Sequence, residues 1–565
     1  MSNTSFGKYA LNGNSGIQNS AFGTSSIKNS NSGNYNTGLG AFSLANNKTG
    51  TNNTAVGANS LLINTNGNYN TSIGTSAMCF NITGNLNTAV GSNSLENNTQ
   101  GNKNTATGVQ ALYSNTTGQN NNAFGAYSLL SNTTGQNNNA FGAYSLLSNT
   151  TGNNNTAIGN GTLSSNSSGS NNTALGYNTL VTNTTGTNNI AIGPNALVAN
   201  TTGFDNIAIG SSALNANITG ANNTAIGFES LKVNTASNNT AVGYATLNQN
   251  ISGSNNTSIG YGSLQLNTVS NNTAVGAYSL NKNTSGANNT AIGYAALNNN
   301  TSGSNNTALG YNTLVANTTG IDNIAIGPNA LVANTIGANN TAIGYAALNN
   351  NISGNVNTAI GYAALNNNIS GFENIAIGSS ALNSNTTGAN NIAMGTNALY
   401  ANTTGANNTA IGINAGSTLT TGSNCTSIGN NAQPNSATAS NEITLGNSSI
   451  SVLRCHVQTI SSLSDKRDKK DIVPLKKFDG ITFIDKLQPV NFVWNMRDGG
   501  KIDIPEQGFI AQDLQEAQIE TDINVPGLVY DINPDRLEAS YGRLIPLMIQ
   551  AIKDLKAEIE VLKNK

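Results

Sequence analysis

Ser464 and Lys469 stand five residues apart in SDKRDK, inside a run where every residue from Asp465 to Asp471 is charged. A serine hydroxyl beside a lysine amine is a known nucleophile and base arrangement. The hydroxyl attacks a carbonyl while the amine takes its proton, so the lysine must first give up its own. Burial or neighbouring positive charge depresses an amine's pKa, and Lys466, Arg467, Lys469 and Lys470 crowd positive charge here. Spacing does not choose among these lysines. Five residues is opposite faces of a strand and about 140° around a helix. A Ser464–Lys469 contact therefore needs a turn, or a lysine from a neighbouring subunit. Taken from its residues alone, the same run also fits a solvated hinge between two domains, the commoner use of such a sequence.

Few other residues offer chemistry. Cys79, Cys425 and Cys455 are too far apart to form a disulfide framework or a metal site. His456, the single histidine, neighbours Cys455, and adjacent residues of an extended chain point to opposite faces, which argues against a Cys–His pair. Repeat-region carboxylates such as Glu96, Asp205 and Asp322 are isolated, so no sugar-cleaving pair is expected. No cofactor and no metal are expected. Neither part of the chain has a basic excess, which argues against nucleic-acid binding. The start, MSNTSFGKYALNG, lacks the basic and apolar regions of a signal peptide. No stretch approaches the roughly 20 apolar residues of a membrane helix, so no membrane insertion is expected.

Two compositional regimes meet near Ser464. Charged residues are 8% of the 565, and only thirteen of the charges precede Ser464. The net charge is −2, with 61 Gly and 9 Pro. Disordered chains of low hydrophobicity usually carry high net charge, so this neutral polar chain must be ordered in another way.

The order comes from repetition. The Gly of an Ala-aliphatic-Gly triplet recurs from Gly7 to Gly446 at intervals of 17, with three intervals of 16, giving 27 such glycines. Residues 118–134 recur unchanged as 135–151. In each unit NTAIG is a short β-strand pattern. The ALxxNTTG piece closes with residues that tolerate left-handed corners. Seventeen residues with two corners make one coil of a β-solenoid or β-roll. One coil cannot bury its apolar face, but a stack can. Aliphatic residues and Leu are expected to form columns, and Asn to form hydrogen-bonded ladders. Twenty-six steps of about 4.8 Å give a rod roughly 125 Å long. The Ala and Gly of one strand face are expected to pack against other chains. The NNT and NTT triplets are formal glycosylation acceptors, read here as corners. The Thr columns are too often replaced by Ile or Asn to suggest ice binding. The array resembles the head repeats of trimeric autotransporter adhesins, which implies a trimeric β-roll; its unit is longer than usual there.

The C-terminal part divides into a strand-like neck, 447–463, and a mixed α+β domain, 464–565. The domain ends in IPLMIQAIKDLKAEIEVLKNK, residues 545–565. Ile545, Met548, Ile552, Leu555, Ile559 and Leu562 are spaced 3, 4, 3, 4, 3, an a/d seam of nearly three heptads whose Ile content leans toward more than two strands. The same helix could instead dock on its own domain.

Three blocks in order, SDKRDK, GFIAQDLQEA and YGRLIPLMIQAIKDLKAEI, resemble the peptidase S74 domain, the C-terminal intramolecular chaperone of phage tail spikes and fibres. The resemblance implies a domain that trimerises, helps a β-structured fibre fold, and then cuts itself off between Leu463 and Ser464. It implies Ser464 as nucleophile and Lys469 as base, with Asp465 and Arg467 at further motif positions. A rod of near-identical coils pairs easily in the wrong register, so a trimerising end that fixes the register, and is then removed, suits it. The expectation is a homotrimeric virion surface fibre, assembled in the host cytoplasm, acting as a single-turnover serine–lysine peptidase with no external substrate. A host-surface receptor or glycan is a possible partner that the sequence does not name. The alternative is an uncleaved trimeric adhesin at a bacterial cell surface, with the domain as a permanent clamp. S74-like domains also occur in transcription factors, but no basic DNA-binding module is present.

Overall fold

The computed structural model describes residues 2–450, 452–454, 464–496, 502–531 and 537–564. The chain divides into two compact units, Met1–Tyr345 and Ala346–Lys565.

The first unit holds twenty-one three-residue strands, β1 (Thr4–Phe6) to β21 (Thr341–Ile343), each ending immediately before one of the periodic glycines. Neighbouring strands pair in parallel one repeat apart, as Thr290 with Thr307 and Ala291 with Ala308. Where the interval is 16 the register holds, Thr224 facing Thr240, because the missing residue comes out of a corner. At about 4.8 Å per step the twenty steps rise roughly 96 Å. This is the parallel β-solenoid of 17-residue coils that the periodicity predicts.

The coil interior differs from expectation in one respect. The middle residue of each strand, Ala in most coils, points inward; Ala291 and Ala308 are fully buried. The Ala face therefore cannot be the face offered to other chains. A strand alternates its faces, so the outward positions are the flanking Thr and the aliphatic, such as Thr290 and Ile292. Alanine suits the inside because the coil is thin: the opposite wall inserts a fully buried Leu, as Leu297 does. The Leu wall is not a second strand. It is a run of turns in which Ala295 and Leu297 both take the left-handed conformation, φ 53° and 52°, a region costly for bulky residues. The Leu297 N–H donates to the Thr313 carbonyl of the next coil at 3.0 Å. Burial of the side chain, worth about 2 kcal/mol, offsets the strain.

Two buried Asn columns line the corners. Asn306 donates from Nδ2 to Asn289 Oδ1 at 3.2 Å and to the Gly320 carbonyl at 2.9 Å. Asn300 donates to Asn283 Oδ1 and to the Gly303 carbonyl, both at 2.9 Å. The two columns converge on the same backbone: the Gly303 carbonyl accepts from Asn289 and Asn300, and the Gly320 carbonyl from Asn306 and Asn317, so these buried acceptors are satisfied. The periodic Gly is required twice over. Gly293 has φ +132°, and a Cβ there would lie 2.3 Å from the Gly310 carbonyl oxygen. On the outside, Phe228, Tyr244 and Tyr261 stack at centroid spacings of 5.3 and 5.0 Å, and Tyr294 stacks on Tyr311 at 5.5 Å.

The second unit carries six more coils of the same kind, β22 (Thr358–Ile360) to β27 (Ile443–Leu445), in parallel register. Cys79 in the first unit and Cys425 in the second are buried free thiols, and burial pushes the Cys79 pKa up to about 11. Cys455 and His456 lie outside the described residues.

After the coils comes a small α+β domain. Helix α1 (Asp479–Ile484) precedes the antiparallel pair β28 (Val490–Asn495) and β29 (Ile502–Gly508). Helix α2 (Ala511–Thr521), the short pair β30 (Val529–Tyr530) and β31 (Glu538–Ala539), and the terminal helix α3 (Ile545–Lys563) follow. Phe483, Leu514, Ala517, Leu528, Leu544 and Leu547 form the core. No helix among the described residues is long and apolar enough to cross a membrane.

Candidate active site

The charged run forms a single 3-10 turn, Lys466–Asp468, between two extended residues, Asp465 and Lys469. A turn of this kind is one of the two ways by which Ser464 and Lys469 could meet. Asp465 starts it. Its Oδ1 accepts the Arg467 N–H at 2.8 Å, the side-chain cap that Asp makes to backbone two residues on. The Asp468 N–H then donates to the Asp465 carbonyl and the Lys469 N–H to the Lys466 carbonyl.

The reversal brings the lysine amine back onto the serine. Lys469 Nζ lies 2.6 Å from Ser464 Oγ and 3.5 Å from the Ser464 carbonyl oxygen. Of the four cationic residues in the run, Lys469 is the one whose side chain reaches Ser464. Both partners are exposed in the single chain. Arg467 folds over Asp465, its Nε donating to both carboxylate oxygens at 3.1 and 3.0 Å, and its Nη2 closes the ion pair. The guanidinium, followed by the capping N–H, holds the Asp465 carboxyl below the usual carboxylate range. Arg467 is raised in turn by the carboxylate. Leu463, on the acyl side of the expected cut, lies outside the described residues.

The terminal helix divides its labour between two faces. Leu547, Ala551 and Asp554 are buried. The Gly480 backbone approaches so closely that a Cβ on it would lie 2.5 Å from the Ala551 nitrogen and the Leu547 oxygen. The heptad residues point elsewhere: Ile545, Met548, Ile552, Leu555, Ile559 and Leu562 are between 48% and 69% exposed. Docking on the domain and an uncovered apolar seam thus coexist on one helix. Sequence reasoning missed Gly480 and Asp554, because their roles depend on an α1–α3 contact with no local signal.

Among the described residues no cluster of three or more His, Cys, Asp or Glu side chains could hold a metal ion. No curated protein and no solved structure matches the chain. Residues 464–523, a stretch that opens on Ser464 and runs through the turn, the β28–β29 pair and α2, match the model of the peptidase S74 family, described as the chaperone of endosialidase.

Proposed function

We propose that the protein is a homotrimeric fibre or tail-spike component of a virion. Its C-terminal domain drives assembly and then severs itself between Leu463 and Ser464. The observation that carries this reading is the 2.6 Å approach of Lys469 Nζ to Ser464 Oγ, at the first residue of the matched segment.

The reaction follows from the atoms. The unprotonated Lys469 amine accepts the Ser464 hydroxyl proton as Oγ attacks the Leu463 carbonyl carbon. The C–N bond of the Leu463–Ser464 peptide breaks, and the proton passes to the Ser464 nitrogen, now a free amine. Water hydrolyses the resulting ester, releasing the Leu463 carboxylate and restoring the hydroxyl. The substrate is the chain's own bond, so each site turns over once. Asp465 and Arg467 belong to the same turn.

Assembly has two supports. The α3 seam presents six large apolar side chains that stay between 48% and 69% exposed among the described residues. The solenoid carries outward aliphatic residues such as Ile259, Ile292 and Leu309 beside its Tyr column. Apolar strips of this length are rare on monomers and mark association surfaces. A clamp that fixes the register of near-identical coils, and then leaves, makes the product kinetically stable. The test is a denaturing gel of the full-length chain beside Ser464→Ala. A released fragment in the first and none in the second supports the reading. An intact wild-type chain points instead to an adhesin that keeps its clamp.

A further inference from the structure

The 3-10 turn of residues 466–468 contains no buried residue. Among the described residues nothing apolar buries it, yet the meeting of Ser464 and Lys469 depends on it. Among the described residues, the side-chain hydrogen bonds of the turn are its own: three groups of Arg467 on the Asp465 carboxylate, and Lys469 on Ser464. A lone turn of two backbone bonds is marginal in water. The residue that can make it persist is therefore the one that both caps it and is clamped from outside. Asp465 does both, with one carboxylate. Its side chain is 37% exposed while that of Arg467 is 88% exposed, so the guanidinium lies over the carboxylate as a cover.

We infer that Asp465 and Arg467 are positioning residues of the self-cleavage reaction: the carboxylate nucleates the turn, the guanidinium locks it, and the locked turn delivers Lys469 to Ser464. The inference rests on the self-cleavage reading above. Among the described residues neither side chain hydrogen-bonds to Ser464 Oγ or Lys469 Nζ, and neither transfers a proton. Their effect enters through how often the amine sits within reach of the hydroxyl, and small displacements of a reacting pair cost rate steeply.

The test is the rate of fragment release from the full-length chain, followed by denaturing gel, with trimer content followed by light scattering. Asp465→Ala removes cap and clamp together and should slow release roughly tenfold. Asp465→Asn keeps an oxygen for the Arg467 N–H and should recover part of that loss. Arg467→Ala keeps the cap and loses the cover, and should fall between wild type and Asp465→Ala. Trimer content should not change in any of the three. Wild-type rates in Asp465→Ala and Arg467→Ala would overturn the inference, as would loss of trimer in proportion to loss of cleavage. An intact wild-type chain, or release from Ser464→Ala, would instead overturn the parent reading.

Discussion

The carboxylate of Asp554 accepts the backbone N–H of Phe478 at 2.9 Å, joining positions 76 apart in the chain. Asp554 is 4% exposed and also accepts Gln550 Nε2 at 3.0 Å. Phe478 begins α1 in a left-handed conformation, φ 75°, with no side-chain cap of its own. The terminal helix therefore supplies from a distance a partner that a helix start needs. This bond, with the close Gly480 contact, ties α3 to its own domain while the heptad face stays open.

Asp554→Ala should leave the Phe478 N–H without its partner and cost the C-terminal domain about 1–3 kcal/mol. Urea unfolding of the Ser464→Ala chain, which keeps the domain attached, measures the loss. Amide exchange at Phe478 should accelerate, and Asp554→Asn, which retains an acceptor, should lose less. Unchanged exchange at Phe478 would refute the capping role.

A charge placed in the open seam tests its use. Ile552→Asp should not unfold the domain, since Ile552 is 60% exposed. It should abolish trimers, because an isolated carboxylate does not enter an apolar interface. Sedimentation of this variant decides it; a trimer of wild-type stability would mean that the seam is not the interface.

Lys469→Arg separates base chemistry from positive charge. A guanidinium keeps the charge but does not lose its proton in proteins. Release of the C-terminal fragment should stop in Lys469→Arg as fully as in Lys469→Met. Residual cleavage by the arginine variant near the wild-type rate would exclude Lys469 as the base.

The asparagine ladders make a sharper demand than burial alone. Asn306 Nδ2 faces two oxygens, while its Oδ1 accepts both the N–H and Nδ2 of Asn323. Asn306→Asp would point a carboxylate oxygen at the Gly320 carbonyl and Asn289 Oδ1. It should destabilise its coils by more than Asn306→Ala, on the order of several kcal/mol, unless the carboxyl is protonated. Local proteolysis or amide exchange around residues 289–323 should show the order Asp, then Ala, then wild type. Equal protection in all three would rule out the ladder as a specific constraint.

How much of this was legible in the sequence depends on the range of each interaction. Every solenoid strand, β1 to β27, ends at the residue before a counted glycine, because the Gly is forced locally by its backbone angle and by the next coil. The Asn ladders follow from identical residues at a fixed period. The inward Ala was misplaced. Composition suggested a face for other chains, while the thin interior, with Leu297 opposite Ala291, requires the small residue inside. Left-handed Leu297 could not be foreseen from propensity, since burial overrides it. At the site, the residues of SDKRDK alone favour a solvated hinge over chemistry. The decisive feature is a cap from Asp465 to the Arg467 N–H, a two-residue pattern visible in the sequence only once a turn is assumed. Asp554 and Gly480 carry no local signal at all.

The central claim is tested most directly by the mass of the chain after expression. The account predicts two products from the 565 residues, divided between Leu463 and Ser464, and a single uncut product from Ser464→Ala. A wild-type preparation that remains one intact polypeptide, or a cut that persists without the serine hydroxyl, would contradict it.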